Sequence, residues 1–110
     1  MKIGIILQSN KPEHAWNAFR FGITALKASH QVKVFLMNEG VELDIVSDTN
    51  DFDISNKITE YKNLKGEMYA CGTCLKIRKK EKEESKVCPI STMTDLLRVV
   101  EESDKILMFG

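Results

Sequence analysis

Glu67-Met68-Tyr69-Ala70-Cys71-Gly72-Thr73-Cys74-Leu75-Lys76-Ile77-Arg78 reads as a short apolar strand running into two cysteines three positions apart, then into a helix. Cysteine reacts as thiolate, and a helix N-terminus favours thiolate through its free N–H groups and dipole. If the helix starts near Cys71, Gly72 lets the backbone approach a reactant closely and Thr73 offers a hydroxyl to the same turn. Cys74 lies one turn on. Arg78, four beyond Cys74 and seven beyond Cys71, shares their face. Helical side chains lean towards the N-terminus, so Arg78 is expected to tilt back towards the sulfurs and support an anion there.

Working outward, Lys2 to Leu7 is an apolar, β-branched run typical of a strand buried on both faces. Pro12 suits a first helical turn, with Asn10 or Lys11 near the cap. Glu13 to Lys27 places Ala15, Phe19, Gly22, Ile23 and Leu26 on one helical face, and Gln31 to Met37 is a second strand. This strand–helix–strand alternation is a βαβ pattern.

Val41 to Val46 is a short segment of a helical turn or two, and Ser47 to Asp53 an acidic loop. Ile54 to Lys65 has helical spacing and stops at Gly66. The helix after Cys71 is expected to reach about Glu84. Its stretch from Lys76 to Lys86 carries nine charged residues of both signs in eleven positions, as a solvated face does. Cys88-Pro89-Ile90 is extended. Ser91 or Thr92 caps a last helix with Met93, Leu96, Leu97 and Val100 as its core face, and Lys105 to Phe109 is a fourth strand.

The expected fold is α/β: a flavodoxin-like, three-layer single domain over residues 1–110, with a mainly parallel sheet and helices on both faces. A strand order of 2-1-3-4 would bring the loop after strand 1, with Ser9 and Asn10, beside Cys71–Cys74 at the crevice where the chain reverses direction across the sheet. Ligands of open α/β sheets bind there, and Ser9 and Asn10 would add backbone support for an anion.

The chain has 110 residues, 43% hydrophobic, and 16 basic against 16 acidic residues, which argues against nucleic-acid binding and leaves little repulsion between copies. No apolar run approaches the roughly 18 residues of a membrane span. A first strand is the better reading of Met1 to Leu7 than a signal peptide. A cytoplasmic protein with reduced thiols follows, and three cysteines fit poorly with a structural disulfide framework. No cofactor is implied. Cys71 and Cys74 could instead be ligands for zinc or an iron–sulfur cluster with Cys88 as a third, but a fourth ligand is missing unless His14, His30, a carboxylate or another subunit supplies it. Cys88 could also resolve a disulfide or face another subunit. His14 and His30 read as surface residues, Trp16 and Tyr69 as core or interface aromatics.

The run Ala70 to Arg78, followed by Cys88-Pro89-Ile90-Ser91-Thr92-Met93 and Ser103-Asp104-Lys105, resembles the DsrE/DsrF-like family across essentially the whole chain. These are small sulfur-handling proteins that include subunits of sulfur-oxidation complexes and of the tRNA-thiolation sulfur relay. The resemblance implies a flavodoxin-like fold, homo- or hetero-oligomers that are often trimers or hexamers, and a persulfide on the cysteine after the third strand. Cys71 matches that position, with Arg78 where the family commonly has a basic residue. The chain departs from the pattern in having Cys74 and Cys88, and Lys79 where a glycine often follows the basic residue.

The resulting expectation is a carrier that takes sulfane sulfur from a donor protein and passes it to an acceptor. Such a carrier, loaded and unloaded by others, is not an enzyme in the strict sense. The rival readings are a C-x-x-C thiol–disulfide protein, a Cys-ligated metal module, and a pure assembly role.

Overall fold

The computed structural model describes residues 1–45, 48–78 and 90–110. Five strands, β1 (Lys2–Leu7), β2 (Gln31–Leu36), β3 (Glu67–Cys71), β4 (Ile90–Ser91) and β5 (Lys105–Phe109), form one all-parallel sheet in the order β4-β3-β2-β1-β5. The described helices are α1 (Pro12–Lys27), α2 (Ile54–Asn63), α3 (Gly72–Ile77) and α4 (Met93–Glu102), and a 3-10 segment covers Asn38–Ile45. None of them is long and apolar enough to cross a membrane.

The α/β class, the parallel sheet and the helical packing are as the sequence implies. The strand order is not. Strand β2, not β1, lies beside β3, with Val34 opposite Met68 and Phe35 opposite Tyr69. Val32, Val34, Phe35 and Leu36 are all buried, so β2 belongs in the interior of the sheet, not at its edge. The half-exposed run Ile106 to Met108 belongs at an edge, and β5 pairs with β1 alone. The chain therefore reverses direction between β1 and β5, and the crevice expected between strands 1 and 3 does not exist.

The sheet is covered on both faces. A methyl placed on Gly4 would touch Val99 of α4, whereas the next residue, Ile5, reaches Gly22 of α1. Alternate residues of β1 thus face opposite helical layers. On the α1 side, Phe19 meets Tyr61 edge to face at 5.3 Å, and the Tyr61 hydroxyl donates to the carbonyls of Glu67 (2.7 Å) and Val32 (3.2 Å). That side chain pins α2 to the start of β3, the strand that carries Cys71. Helix α2 ends earlier than Lys65, and Lys65 itself takes the left-handed conformation (φ 72°). Gly66 is needed for another reason: a methyl there would run into the Tyr61 ring.

Two further expectations change. Helix α3 ends at Ile77 instead of near Glu84, with Arg78 at its C-cap; residues 79–89 lie outside the described residues, Cys88 among them. Thr92 does cap α4, in a capping box with Asp95. Yet of the expected core face Met93, Leu97 and Val100 are exposed, Leu97 by 55%, and Leu96 is only half-buried; Val99 is the buried residue. The helix is amphipathic, as its spacing requires, but it turns a single valine towards Gly4 and leaves its main apolar stripe outward.

Candidate functional site

Strand β3 alternates outward Glu67 and half-buried Tyr69 with buried Met68 and Ala70, and then ends on Cys71, also buried. Cys71 is 1% exposed and is the N-cap of α3, with extended backbone (φ −63°, ψ 116°). Its sulfur makes no well-formed capping bond, although the backbone N–H groups of Cys74 and Thr73 still act on it. Burial pushes the Cys71 thiol above its ordinary value of 9.0; the Cys74 N–H pulls it down, the Cys74 thiol beside it raises it, and the Thr73 N–H lowers it. Burial wins, so the structure reverses the expectation of a thiolate favoured at this helix end.

Gly72 has a close neighbour, but that neighbour is β4. A methyl at Gly72 would sit 3.1 Å from both Ile90 Cγ2 and the Ser91 carbonyl oxygen. The two-residue strand β4 pairs with the end of β3, Ser91 opposite Cys71, and lies against the turn at Gly72. The Thr73 side chain is exposed.

Cys74 is half-buried and meets a group the sequence did not single out. The backbone N–H of Asn38 donates to Cys74 Sγ at 3.3 Å. Asn38 holds a left-handed conformation (φ 53°), which asparagine tolerates better than most residues. Its side-chain amide donates to Gln8 Oε1 at 2.9 Å. Two residues on, Gly40 packs so tightly on the Leu7 carbonyl that any β-carbon would collide with it. The loops after β1, β2 and β3 are therefore tied together through Asn38, although β1 and β3 are not neighbours.

Among the described residues, Arg78 hydrogen-bonds to oxygen and not to sulfur. Its Nε donates to Glu42 Oε2 at 2.7 Å, in a pair about three-quarters buried, and Nη1 donates to the Cys74 carbonyl at 3.1 Å. It clamps the C-terminal end of α3 to the 3-10 segment that presents Asn38. Both cysteines are free thiols.

Ser9 and Asn10 lie in the loop after β1, at the other end of this arrangement. Ser9 Oγ accepts from the Lys11 N–H at 3.0 Å and shares a 2.8 Å hydrogen bond with His14 Nδ1. This corner is the true point of reversal between β1 and β5. It opens onto a groove of about 400 Å³ lined by His14, Asn17, Arg20, Phe21, Thr24 and Phe109. His30 is at the opposite end of the sheet, hydrogen-bonded to the Met1 amino group at 2.7 Å. Trp16 packs edge-on against Phe52, with Arg20 over its ring at 4.1 Å; the Tyr69 hydroxyl donates to Glu67. Among the described residues, no three His, Cys, Asp or Glu side chains gather into a metal-holding group.

Comparison with known proteins agrees with this architecture. The model of the DsrE/DsrF-like family matches residues 1–109. An uncharacterised protein of Methanocaldococcus jannaschii, MJ0989, is 34% identical over 101 residues, covering 88% of each chain. A second, MK0008 of Methanopyrus kandleri, is 36% identical over 101 residues, covering 88% of this chain and 83% of its own. In fold, the chain is similar to the ychN protein of E. coli (TM-score 0.80, 19% identity, covering 99% of this chain and 100% of that one). It is similar also to BT1422 of Bacteroides thetaiotaomicron, a conserved protein of unknown function (TM-score 0.79, 16% identity, covering 98% and 94%).

Proposed function

The chain belongs to the DsrE/DsrF-like family, which is associated with sulfur transfer, and on that premise we propose that it is a cytoplasmic sulfur carrier holding sulfane sulfur as a persulfide on Cys71. The observation that carries this reading is the pair of free thiols at the carboxyl end of β3, Cys71 buried and Cys74 half-buried beside it. A buried persulfide is shielded from water and from stray oxidants, as a carrier needs between donor and acceptor. Gly72, Thr73 and Arg78 shape the turn, and Ser9 and Asn10 stand at the reversal point one loop away.

The partners are then a donor and an acceptor protein, with transfer by attack of the acceptor's thiolate on the outer sulfur. Copies of the chain associate with one another, as a trimer or hexamer, and the outward stripe of α4 supplies apolar surface for such contacts. A dithiol protein that cycles between Cys71–Cys74 disulfide and free thiols is the second reading, favoured by the closeness of the two thiols.

Cyanide distinguishes them. Protein purified without oxygen, incubated with polysulfide and desalted, should release about one thiocyanate per chain on cyanolysis. No thiocyanate, with both thiols lost to disulfide, would move the assignment to the dithiol reading.

A further inference from the structure

We infer that sulfur enters this site at Cys74, poised by the Asn38 N–H, and is handed inward to Cys71. This deepens the carrier reading above and rests on it.

The two thiols differ in what can reach them. Exchange at sulfur needs the attacking sulfur, the sulfur transferred and the leaving sulfur to come together, so access decides which thiol reacts first. Cys71 is 1% exposed, with β4 against its turn at Gly72. A donor protein cannot bring a persulfide to a side chain so fully covered. Cys74 is half-buried one helical turn on, bordering Asn38, whose own side chain is exposed.

Cys74 also has the better-defined partner for a charged sulfur. A backbone N–H donated to a thiolate is a charge-assisted hydrogen bond, stronger than one donated to a thiol. The Asn38 N–H is aimed at Sγ by a left-handed backbone, held in turn by the Gln8 amide oxygen and by Gly40 against Leu7. Arg78 fixes the other side of Cys74 through its carbonyl. A thiolate at Cys74 is therefore met by a donor already in place. The raised Cys71 thiol fits the opposite task of accepting from a neighbour and keeping what it accepts.

Two balanced steps follow. The Cys74 thiolate attacks the outer sulfur of a donor persulfide, R–S–SH. A bond forms between Cys74 Sγ and that sulfur, the donor's S–S bond breaks, and the donor leaves as R–S⁻, which takes up the proton Cys74 lost. In the second step Cys71, giving its proton to the departing Cys74 sulfur, attacks the same outer sulfur. The new bond is on Cys71, the bond to Cys74 breaks, and Cys74 returns to a thiol. Neither step changes the total oxidation state, so no external oxidant or reductant is required.

Loading of the full chain with glutathione persulfide, followed by mass spectrometry over time, tests this on wild type, Cys74→Ser and Cys71→Ser, each first shown to unfold in urea near the wild-type midpoint. Cys74→Ser is expected to load at least about tenfold more slowly than wild type. Cys71→Ser is expected to load at close to the wild-type rate but to lose its sulfur faster to added thiol. Cys74→Ser loading as fast as wild type, or Cys71→Ser failing to load, overturns the order of transfer while leaving a carrier. Wild type that takes up no sulfur overturns the carrier reading as well. Asn38 is tested in the same loading assay. Asn38→Gly keeps the N–H and accepts the left-handed backbone and should load within about threefold of the wild-type rate, whereas Asn38→Val opposes that backbone and should load at least about tenfold more slowly. Asn38→Val loading at the wild-type rate overturns the role of Asn38.

Discussion

Gly66→Ala is the sharpest probe of how this protein presents its cysteines. Ordinarily the change would stabilise by about 0.4–1 kcal/mol through the unfolded chain, and Gly66 is not in the left-handed region that would oppose it. Here the added methyl would overlap the Tyr61 ring. The ring cannot yield freely. It is fully buried, packs edge to face on Phe19, and its hydroxyl is bonded to Glu67 and Val32. Overpacking costs about 1–3 kcal/mol, and an overlap with three ring atoms belongs at about 2–3 kcal/mol, which leaves a net loss of about 1–2.6 kcal/mol once the chain-entropy gain is subtracted. At about 4 °C per kcal/mol for a chain of this size, Tm should fall by about 4–10 °C. Urea and thermal unfolding followed by circular dichroism read this directly. The same substitution in a Tyr61→Leu background should cost little, so the cycle should show a coupling of about 1 kcal/mol or more. Gly66→Ala at wild-type stability or above, in the Tyr61 background, would refute the packing of α2 on β3 described above.

Other outcomes follow from the same structure. Burial raises the Tyr61 phenol far above its ordinary value of 10.0, so its stabilising contribution is full below about pH 10 and is lost as pH rises, because the unfolded chain ionises first; Cys71 adds a loss of the same sign beginning near pH 9.0. Urea midpoints measured from pH 7 upward should fall accordingly, and a flat profile would show that neither group is sealed. Iodoacetamide at neutral pH should label Cys74 before Cys71 in the native protein and both alike in urea, read by fragmentation of the peptide that holds them; Cys71 labelled first would contradict the burial described. Leu97→Asp, at a site 55% exposed, should change the stability of the chain by no more than about 0.5 kcal/mol yet lower the mass seen by size exclusion with light scattering, and an unchanged assembly would place the contact elsewhere.

Local pattern carried the elements well and their arrangement poorly. Ile3 to Leu7, the α1 periodicity and the strand ending at Cys71 were all legible, because burial on both faces or one stripe leaves a direct mark on residue choice. Strand order left a fainter mark: β2 carries a single charge, Lys33, among the buried Val32, Val34, Phe35 and Leu36, which was the available signal. Strand β4 has two residues, below the reach of any periodicity. The outward stripe of α4 shows the same limit, since helical spacing reveals an apolar face but not what it meets. Within the site, the Cys71–Cys74 spacing was visible. The partners were not: Arg78 pairs with Glu42, and Asn38 with Cys74, each across 36 residues. The readable hint at Asn38 was asparagine ahead of Glu39-Gly40 at a strand end, a combination that accepts left-handed backbone.

The central claim is that this turn carries sulfane sulfur. Intact-mass spectrometry of protein purified without oxygen, before and after polysulfide and again after reductant, tests it most directly. The account expects a gain of about 32 Da per chain that reductant removes. A loss of two hydrogens with no added sulfur would contradict it and mark Cys71 and Cys74 as a redox dithiol.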